Sequence, residues 1–161
     1  MYRTVLLTLF LAFLSILAPQ ALEAQEPAVL LRFQIIEADG FTETDPAIAD
    51  VREVLAELFR FRGYRLAAEA VVRAGSGRFR QRVAGTEGRT FSITGHASAR
   101  GTDSRTATQV MLGELTLWVS DSSPVLETAV TVPVGQTVVL GTARPRADQP
   151  VLILVVRPEV R

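Results

Sequence analysis

The chain has 161 residues, no cysteine and a formal net charge of zero. Without cysteine there is no disulfide, no thiol catalysis, no thiolate metal site and no lipid attached to an N-terminal cysteine. Zero net charge argues against a dedicated nucleic-acid-binding protein, and the length suits one domain with a substantial hydrophobic core.

Residues 1–24 have the pattern of a cleavable secretory signal peptide. An uncharged apolar run follows Arg3 and ends at Pro19. At roughly 14 residues this run is shorter than the ~20 that a membrane-spanning helix needs. We expect cleavage after Ala24, and we expect residues 25–161 to form a single β-rich soluble domain.

This interpretation also predicts the compartment. The domain is expected to be periplasmic or secreted, not a lipoprotein, and without a membrane span once the signal peptide is removed. Leu22 is larger than the small residue typical of the third position before the cut. An uncleaved N-terminal anchor is therefore the alternative, and it would leave the same domain outside the cytoplasm.

One strand and one helix are predicted before Gly63. Apolar and polar residues alternate imperfectly over Val29–Ala38, which indicates a strand. Asp45 can cap the free N–H groups at a helix start, and Pro46 suits the first helical position. Apolar residues then recur at helical spacing, so we expect one amphipathic helix over about 46–62, ended by Gly63.

After Gly63 the apolar residues alternate, and the helical period does not return. This pattern predicts further strands at residues 64–73, 78–83, 90–99, 107–120, 125–132, 137–141 and 151–156. In the first of them, Tyr64, Leu66 and Ala68 are expected to share one face. The run at 151–156 has no polar residue, which is typical of a strand covered on both faces.

Glycine-rich turns at 75–77 and 85–88 are expected to form hairpins in series. The predicted fold class is α+β and mainly antiparallel β. It consists of sandwich-like sheets of about seven or eight strands, with the single helix of residues 46–62 after the first strand and sealing one face.

Arginines concentrate in residues 60–82, whereas residues 26–57 are mainly acidic. The residues expected to bind an anion or a partner are Arg65, Arg73, Arg78, Arg80 and Arg82. Alternation places the last three on one face and the first two on a neighbouring strand. Such a surface suits phosphates of phospholipid or lipopolysaccharide, or an acidic partner. The simpler alternative is a solvated face neutralised by residues 26–57.

The remaining titratable groups do not combine into a catalytic or metal site. His96 is the only histidine, and it lies on the polar face of a predicted strand. The acidic pairs Glu37/Asp39 and Glu43/Asp45 do not follow the calcium-loop pattern, and helix capping and a solvated loop explain them. We therefore expect no enzyme activity, no cofactor and no metal.

The last third of the chain contains a strand, a tight turn and a strand ending in glycine, followed by an apolar strand that ends near Pro158. The residues at this turn and strand end are Pro133, Gly135, Gln136, Thr137 and Gly141. Residues 126–158 thereby resemble the C-terminal β-domain of the bacterial secretins, the outer-membrane gates of type II and type III secretion and of type IV pili. Val134 and Thr142 depart from the family pattern, and the chain is too short for the family's pore. The resemblance implies a β-hairpin and a link with such assemblies.

Three functions remain open from the sequence. The first is an exported, non-enzymatic envelope protein that binds another envelope protein, with exposed sheet edges as the docking surface for strand addition. The second is a binding module for an anionic lipid or polysaccharide of the envelope, through the arginine-lined strand. The third is an enzyme of unrecognised type. None of them has nucleic acid as a partner.

Overall fold

The structure is a computed structural model that describes residues 29–160, except for Ser76 and residues 104–105 and 121–122. The predicted signal peptide lies outside the described residues. The elements are β1 Val29–Ala38, α1 Arg52–Leu58, β2 Tyr64–Ala74, β3 Gly77–Ala84, β4 Thr90–Asp103, β5 Thr106–Val119, β6 Ser123–Pro133, β7 Val138–Ala143 and β8 Val151–Val160. Short 3-10 turns lie at Pro46–Ile48 and Thr86–Gly88. Within the described ranges, no helix has the length and apolar character needed to cross a membrane.

The strands form two four-stranded antiparallel sheets. The first sheet has the order β2-β1-β8-β7, and the second has the order β3-β4-β5-β6. The predicted fold class is confirmed: the described part of the chain is mainly antiparallel β, with eight strands in a sandwich-like arrangement and one α-helix after the first strand.

The core lies between the two sheets and is built from alternate residues of each strand. Phe33 and Ile35 of β1 face Phe91 and Ile93 of β4, and all four side chains are fully buried. Their alternation in the sequence is what allowed these faces to be predicted.

A second apolar layer covers the outward side of the first sheet. Ile48, Val51 and Leu55, from the helical segment, pack against Ile153 and Val155 of β8. Leu152, Leu154 and Val156 of the same strand belong to the core between the sheets. The prediction that residues 151–156 are covered on both faces is therefore confirmed for Leu152–Val156, while Val151 is half-buried.

The helix is shorter than expected. Asp45 and Pro46 act as predicted, since the Asp45 carboxylate accepts a hydrogen bond from the Ala47 N–H at 2.9 Å, but they begin a 3-10 turn. The α-helix covers only Arg52–Leu58 and ends at Phe59, whose backbone is extended. The prediction of a helix over 46–62 is therefore wrong at both ends. At the start, residues 46–48 form the 3-10 turn, and at the end the apolar residues continue at helical spacing past the point where the backbone becomes extended.

Gly63 is needed for close packing and not as a helix stop. The Glu43 carbonyl accepts a hydrogen bond from the Tyr64 N–H, and the Asp45 N–H donates to the Tyr64 carbonyl. These bonds bring the backbone of Glu43 against Gly63, where a Cβ would lie 2.2 Å from the Glu43 oxygen. A side chain at this position would displace the loop before the helix.

A β-bulge in β2 changes the predicted faces of that strand. Ile35 pairs with Ala68 and Ile36 with Leu66, so Ala67 is an extra residue. Tyr64 and Leu66 consequently pack under the helical layer, whereas Ala68 belongs to the core between the sheets. The expectation that these residues share one face is wrong, because the extra residue reverses the alternation.

The chain passes between the sheets at two turns that were predicted to be hairpins. The turn after β2 leads from the first sheet to the second, and the turn after β6 leads back. Gly135 does make the predicted turn, with a φ of +83°, but β6 pairs with β5 and β7 pairs with β8. Turn residues fix where the chain reverses, and the pairing of the flanking strands is decided by the core.

The turn after β6 is hydrogen-bonded to both sheets. The Val134 N–H donates to the Thr108 carbonyl of the second sheet at 2.9 Å, and the Gly135 N–H donates to the Pro158 carbonyl of the first sheet at 2.7 Å. Nearby, Gly141 of β7 allows close contact with Leu126 of β6, because a Cβ there would lie 2.8 Å from a Leu126 methyl carbon.

Candidate functional site

Two groups of arginines lie in different parts of the fold. The first group belongs to the mouth cluster, which we define as Glu37, Arg65, Glu87 and Arg89, at one end of the space between the sheets. Glu37 is 0% exposed and pairs across the sheet with Arg65. Arg65 donates to its carboxylate through Nη2 at 2.6 Å and Nε at 3.0 Å, and Arg89 donates from the other side.

The local backbone explains why these side chains meet. The bulge at Ala67 turns Arg65 toward the inward side of the first sheet, beside Glu37. On the second sheet, β3 and β4 form a hairpin as predicted from its glycines, with Glu87 and Gly88 at positive φ. That turn brings Glu87 to 2.8 Å from the Arg65 guanidinium.

The electrostatics of the mouth cluster follow from these contacts. The hydrogen bond from Arg65 lowers the pKa of the Glu87 carboxyl below its ordinary value. The same bond, followed by that to Glu37, raises the pKa of Arg65. Glu37 is therefore not part of a solvated loop, as the sequence suggested. It is a buried carboxylate neutralised by two arginines that come from different sheets.

The second group of arginines lies on the outward side of the second sheet. Arg78, Arg80 and Arg82 are all exposed and alternate along β3 with half-buried residues, which confirms that they share one face. Their partners on β4 are His96, Thr94 and Ser92, respectively.

Arg78 and Arg80 border an open cleft of about 400 Å³ on the same face, whereas Arg82 does not line it. We call it the cationic cleft; its lining is Arg78, Phe79, Arg80, Thr94, Gly95, Glu114 and Trp118. The register explains the arrangement, because Thr94 pairs with Thr116 two residues before Trp118, and Ser92 pairs with Trp118 itself. The half-buried indole of Trp118 thus lies in the cross-strand row of Arg82, next to the row of Arg80, and β4 separates it from β3.

Glu114 reaches the cationic cleft through a second β-bulge. Leu112 and Leu115 pair with Val130 and Thr128, so β5 has one residue more than β6 between these pairs. Glu114 adopts a φ of +49°, which is uncommon for a residue with a side chain. Its carboxylate lies 3.7 Å from the Arg78 guanidinium, and both side chains are at least 80% exposed.

The ionic contacts at the cationic cleft are sparse. Arg78 and Glu114 form an exposed pair of the kind that contributes little to stability. Among the described residues, no acidic side chain forms an ion pair with Arg80. Within the part of the chain that the structure describes, the carboxylate beside Arg78 comes from β5, and none of residues 29–57 forms an ion pair with Arg78 or Arg80.

The other predicted site residues lie elsewhere. Arg73 alternates with the core residue Val72 on β2, so it points outward from the first sheet and not from the second. Arg65 belongs to the mouth cluster. The structure therefore separates Arg65 and Arg73 from Arg78, Arg80 and Arg82, and from each other.

Sequence reasoning identified only the arginines of the cationic cleft and missed the rest of its lining, including Trp118 and Glu114. Trp118 alternates with the core residues Leu117 and Val119, so its outward direction was readable from the pattern. Glu114 lies where the alternation is interrupted, since the core residues Leu112 and Leu115 are three positions apart, but this spacing alone does not tell where the side chain points. The structure groups no set of three or more metal-ligating side chains within the residues it describes.

Comparison with known proteins gives no match: no family model fits the chain, and no curated protein or solved structure is significantly similar to it. The function is therefore inferred from the geometry and charge of the surfaces described above.

Proposed function

We propose that the chain is an exported, non-enzymatic binding domain that takes an anionic partner of the cell envelope on the cationic cleft. Export is inferred from the signal-peptide pattern of residues 1–24. The observation that carries the choice of surface is the projection of Arg78 and Arg80 into one cleft, where Arg80 forms no ion pair with any described residue.

The geometry of β3 favours a ligand with several anionic groups. Residues two apart on one strand face are separated by roughly 7 Å, so neighbouring guanidiniums can hold successive carboxylates or phosphates. A guanidinium donates two parallel hydrogen bonds to either group. The exposed contact between Arg78 and Glu114 is weak enough to be exchanged for a ligand.

Binding is favoured over catalysis because of the side chains that line the cleft. Arginines, a threonine and an indole hold and orient a ligand, and Glu114 lies beside Arg78 without a nucleophile between them. His96 is the cross-strand neighbour of Arg78 but does not line the cleft.

The test measures retention of the purified protein on anionic surfaces. The surfaces are vesicles of one part phosphatidylglycerol to two parts phosphatidylcholine, and immobilised polygalacturonate. The variant replaces Arg78, Arg80 and Arg82 with serine. A matched control replaces Arg52, Arg60 and Arg62 with serine, since these arginines are also exposed but lie on the helical side of the first sheet.

We expect the wild type and the control to be retained on at least one of these surfaces, in a salt-dependent way, and the cleft variant to be lost from it. Equal retention of the cleft variant and the wild type would overturn the proposal. Equal loss from both variants would overturn it as well, because only net charge would then be at work.

A second candidate function is the docking of a protein by strand addition at β7. This strand lies at the edge of the first sheet and has no charged residue, whereas β3, at an edge of the second sheet, has three arginines. Charged edges discourage pairing with another strand, and uncharged edges permit it. β7 also lies within residues 126–158, whose resemblance to secretins suggests a secretion or pilus component as the partner.

Photo-crosslinking in the cell envelope separates this candidate from the first. A photoreactive residue at the exposed position Thr142 of β7 is compared with one at the exposed position Glu57 of α1. Capture of a secretion or pilus component from Thr142 alone is the expected result. If such a component is captured equally from both positions, or from neither, strand addition at β7 is excluded.

A further inference from the structure

The cationic cleft contains more than positive charge. Arg78 and Arg80 lie at one side, Glu114 reaches in from β5, and Thr94 and Trp118 form part of the floor. Glu127 of β6 lies in the cross-strand row of Thr94. Thr94 of β4 pairs with Thr116 of β5, and Thr116 pairs with Glu127. The face is therefore cationic along β3 and acidic toward β6.

This distribution of charge argues against a densely charged polyanion. A phosphate chain or a packed anionic membrane surface would meet the arginines favourably, but it would also meet Glu114 and Glu127 with like charge. Carboxylates accept hydrogen bonds from hydroxyl groups, and arginines bind carboxylates. A ligand that carries hydroxyls beside its carboxylates, with the carboxylates spaced a sugar ring apart, satisfies both sides of the face.

Trp118 supplies the third recognition element. The indole lines the cleft on β5, in the cross-strand row next to that of Arg80, and it is half-buried on a face that no other layer of the described structure covers. An indole offers a large, flat apolar surface at a small loss of side-chain freedom. The apolar C–H side of a sugar ring is a shape that packs on such a surface.

We infer that the ligand of the cationic cleft is an acidic polysaccharide composed of carboxylated sugars. Its carboxylates bind Arg78 and Arg80, its hydroxyls donate to Glu114, and one of its rings packs on Trp118. The open shape of the cleft suits the side of a chain and not an enclosed small molecule. This inference rests on the proposed function, because it assigns a ligand class to the same surface.

The test uses polygalacturonate as the probe, with dextran as a neutral sugar chain and inorganic polyphosphate as a sugarless polyanion. Trp118 is the only tryptophan, so a change in intrinsic fluorescence reports directly on the cleft. Affinities are measured by calorimetry, which also serves the variants that lack the indole. We expect polygalacturonate to bind the wild type, to shift its fluorescence, and to bind more tightly than either dextran or polyphosphate.

Trp118→Leu should weaken polygalacturonate binding on the order of tenfold, as does loss of one stacking aromatic in proteins that bind single-stranded nucleic acid. It should leave any polyphosphate binding unchanged. Trp118→Phe keeps a flat ring and should retain most of the affinity. Because Trp118 is half-buried, the melting temperature of each variant is measured first. If Trp118→Leu does not fold, the fluorescence shift of Trp118 in the wild type decides the result.

The outcomes separate the inference from the proposed function. The ligand is a simple polyanion if polyphosphate binds as tightly as polygalacturonate in an arginine-dependent way. The same conclusion follows if Trp118→Leu folds without altering the preference for polygalacturonate, or if polygalacturonate does not shift the fluorescence of Trp118. The inference is then wrong, and the proposed function stands. If no anionic probe binds through Arg78 and Arg80, both are wrong.

Discussion

The arginines of the mouth cluster and those of the cationic cleft differ in the burial of the carboxylates that they contact. Arg65 and Arg89 extend over the end of the sandwich and bind Glu37, a carboxylate with no exposure, while Arg89 itself is only 16% exposed. Arg78 is 84% exposed and has only a long contact with an exposed glutamate. Both groups follow the alternation of a strand or flank a turn, so they look alike in the sequence.

The role of an arginine in this sandwich depends on whether its side chain reaches the space between the sheets or the outward face of a sheet. An arginine that reaches the space between the sheets meets a low dielectric and must be paired, so it becomes part of the structure. An arginine on an uncovered outward face is solvated and stays available to a ligand.

Glu37→Gln removes the charge that neutralises Arg65 and Arg89. We expect a loss of roughly 3 kcal/mol in the free energy of unfolding, at the lower end of the range for breaking a buried ion pair, because Arg65 keeps 31% of its side chain in solvent. Urea unfolding measures it. The matched change Glu114→Gln, beside Arg78, should alter stability by less than about 0.5 kcal/mol. If Glu37→Gln and Glu114→Gln changed the free energy of unfolding equally, the mouth cluster would be no more structural than the cationic cleft.

Arg89→Gln and Arg80→Gln make the same comparison from the cationic side. Loss of Arg89 leaves the buried Glu37 with Arg65 as its remaining described partner, and we expect it to cost about 2 kcal/mol, as for a hydrogen bond to a charged group. Arg80→Gln should leave unfolding within about 0.5 kcal/mol of the wild type while weakening retention on anionic surfaces. A destabilising Arg80→Gln would show that the outer face is also structural.

The smallest effect concerns Glu87, which is exposed. Its pKa is lowered by the hydrogen bond from Arg65, so its contribution to stability is present above the ordinary carboxyl value of 4.5 and is lost as the pH falls through the lowered value. The melting temperatures of the wild type and Glu87→Gln should therefore differ near neutral pH and converge in acid. A difference that persists unchanged at the acid end would mean that the interaction is not ionic.

Much of the fold was predictable because the alternation of apolar residues reports which side of each strand is buried. It located β1 at Val29–Ala38, placed Arg78, Arg80 and Arg82 on one face, and showed that β8 is covered on both sides. The α-helix was overpredicted, since helical spacing continued through Phe59 although the backbone there is extended.

The rest depends on features that single-residue patterns do not encode. The extra residues Ala67 and Glu114 reverse or interrupt the alternation, and each of them directs a charged side chain to its place. The passage of the chain between sheets after β2 and after β6 depends on which strand edges the core brings together. Turn residues alone show neither the bulges nor the passage between sheets. Arg65 was therefore grouped with the arginines of β3, although β2 and β3 lie in different sheets.

The turn that follows β6 has a consequence for binding. It joins the two sheets through Val134 and Gly135 near the end of β8 that pairs with Leu31, whereas the mouth cluster joins them near Glu37, at the other end of β1. Hydrogen bonds and ion pairs thus link the two sheets at both ends. If the cationic cleft binds as proposed, the ligand meets a backbone that these links already hold, and association has to order only the long side chains above it.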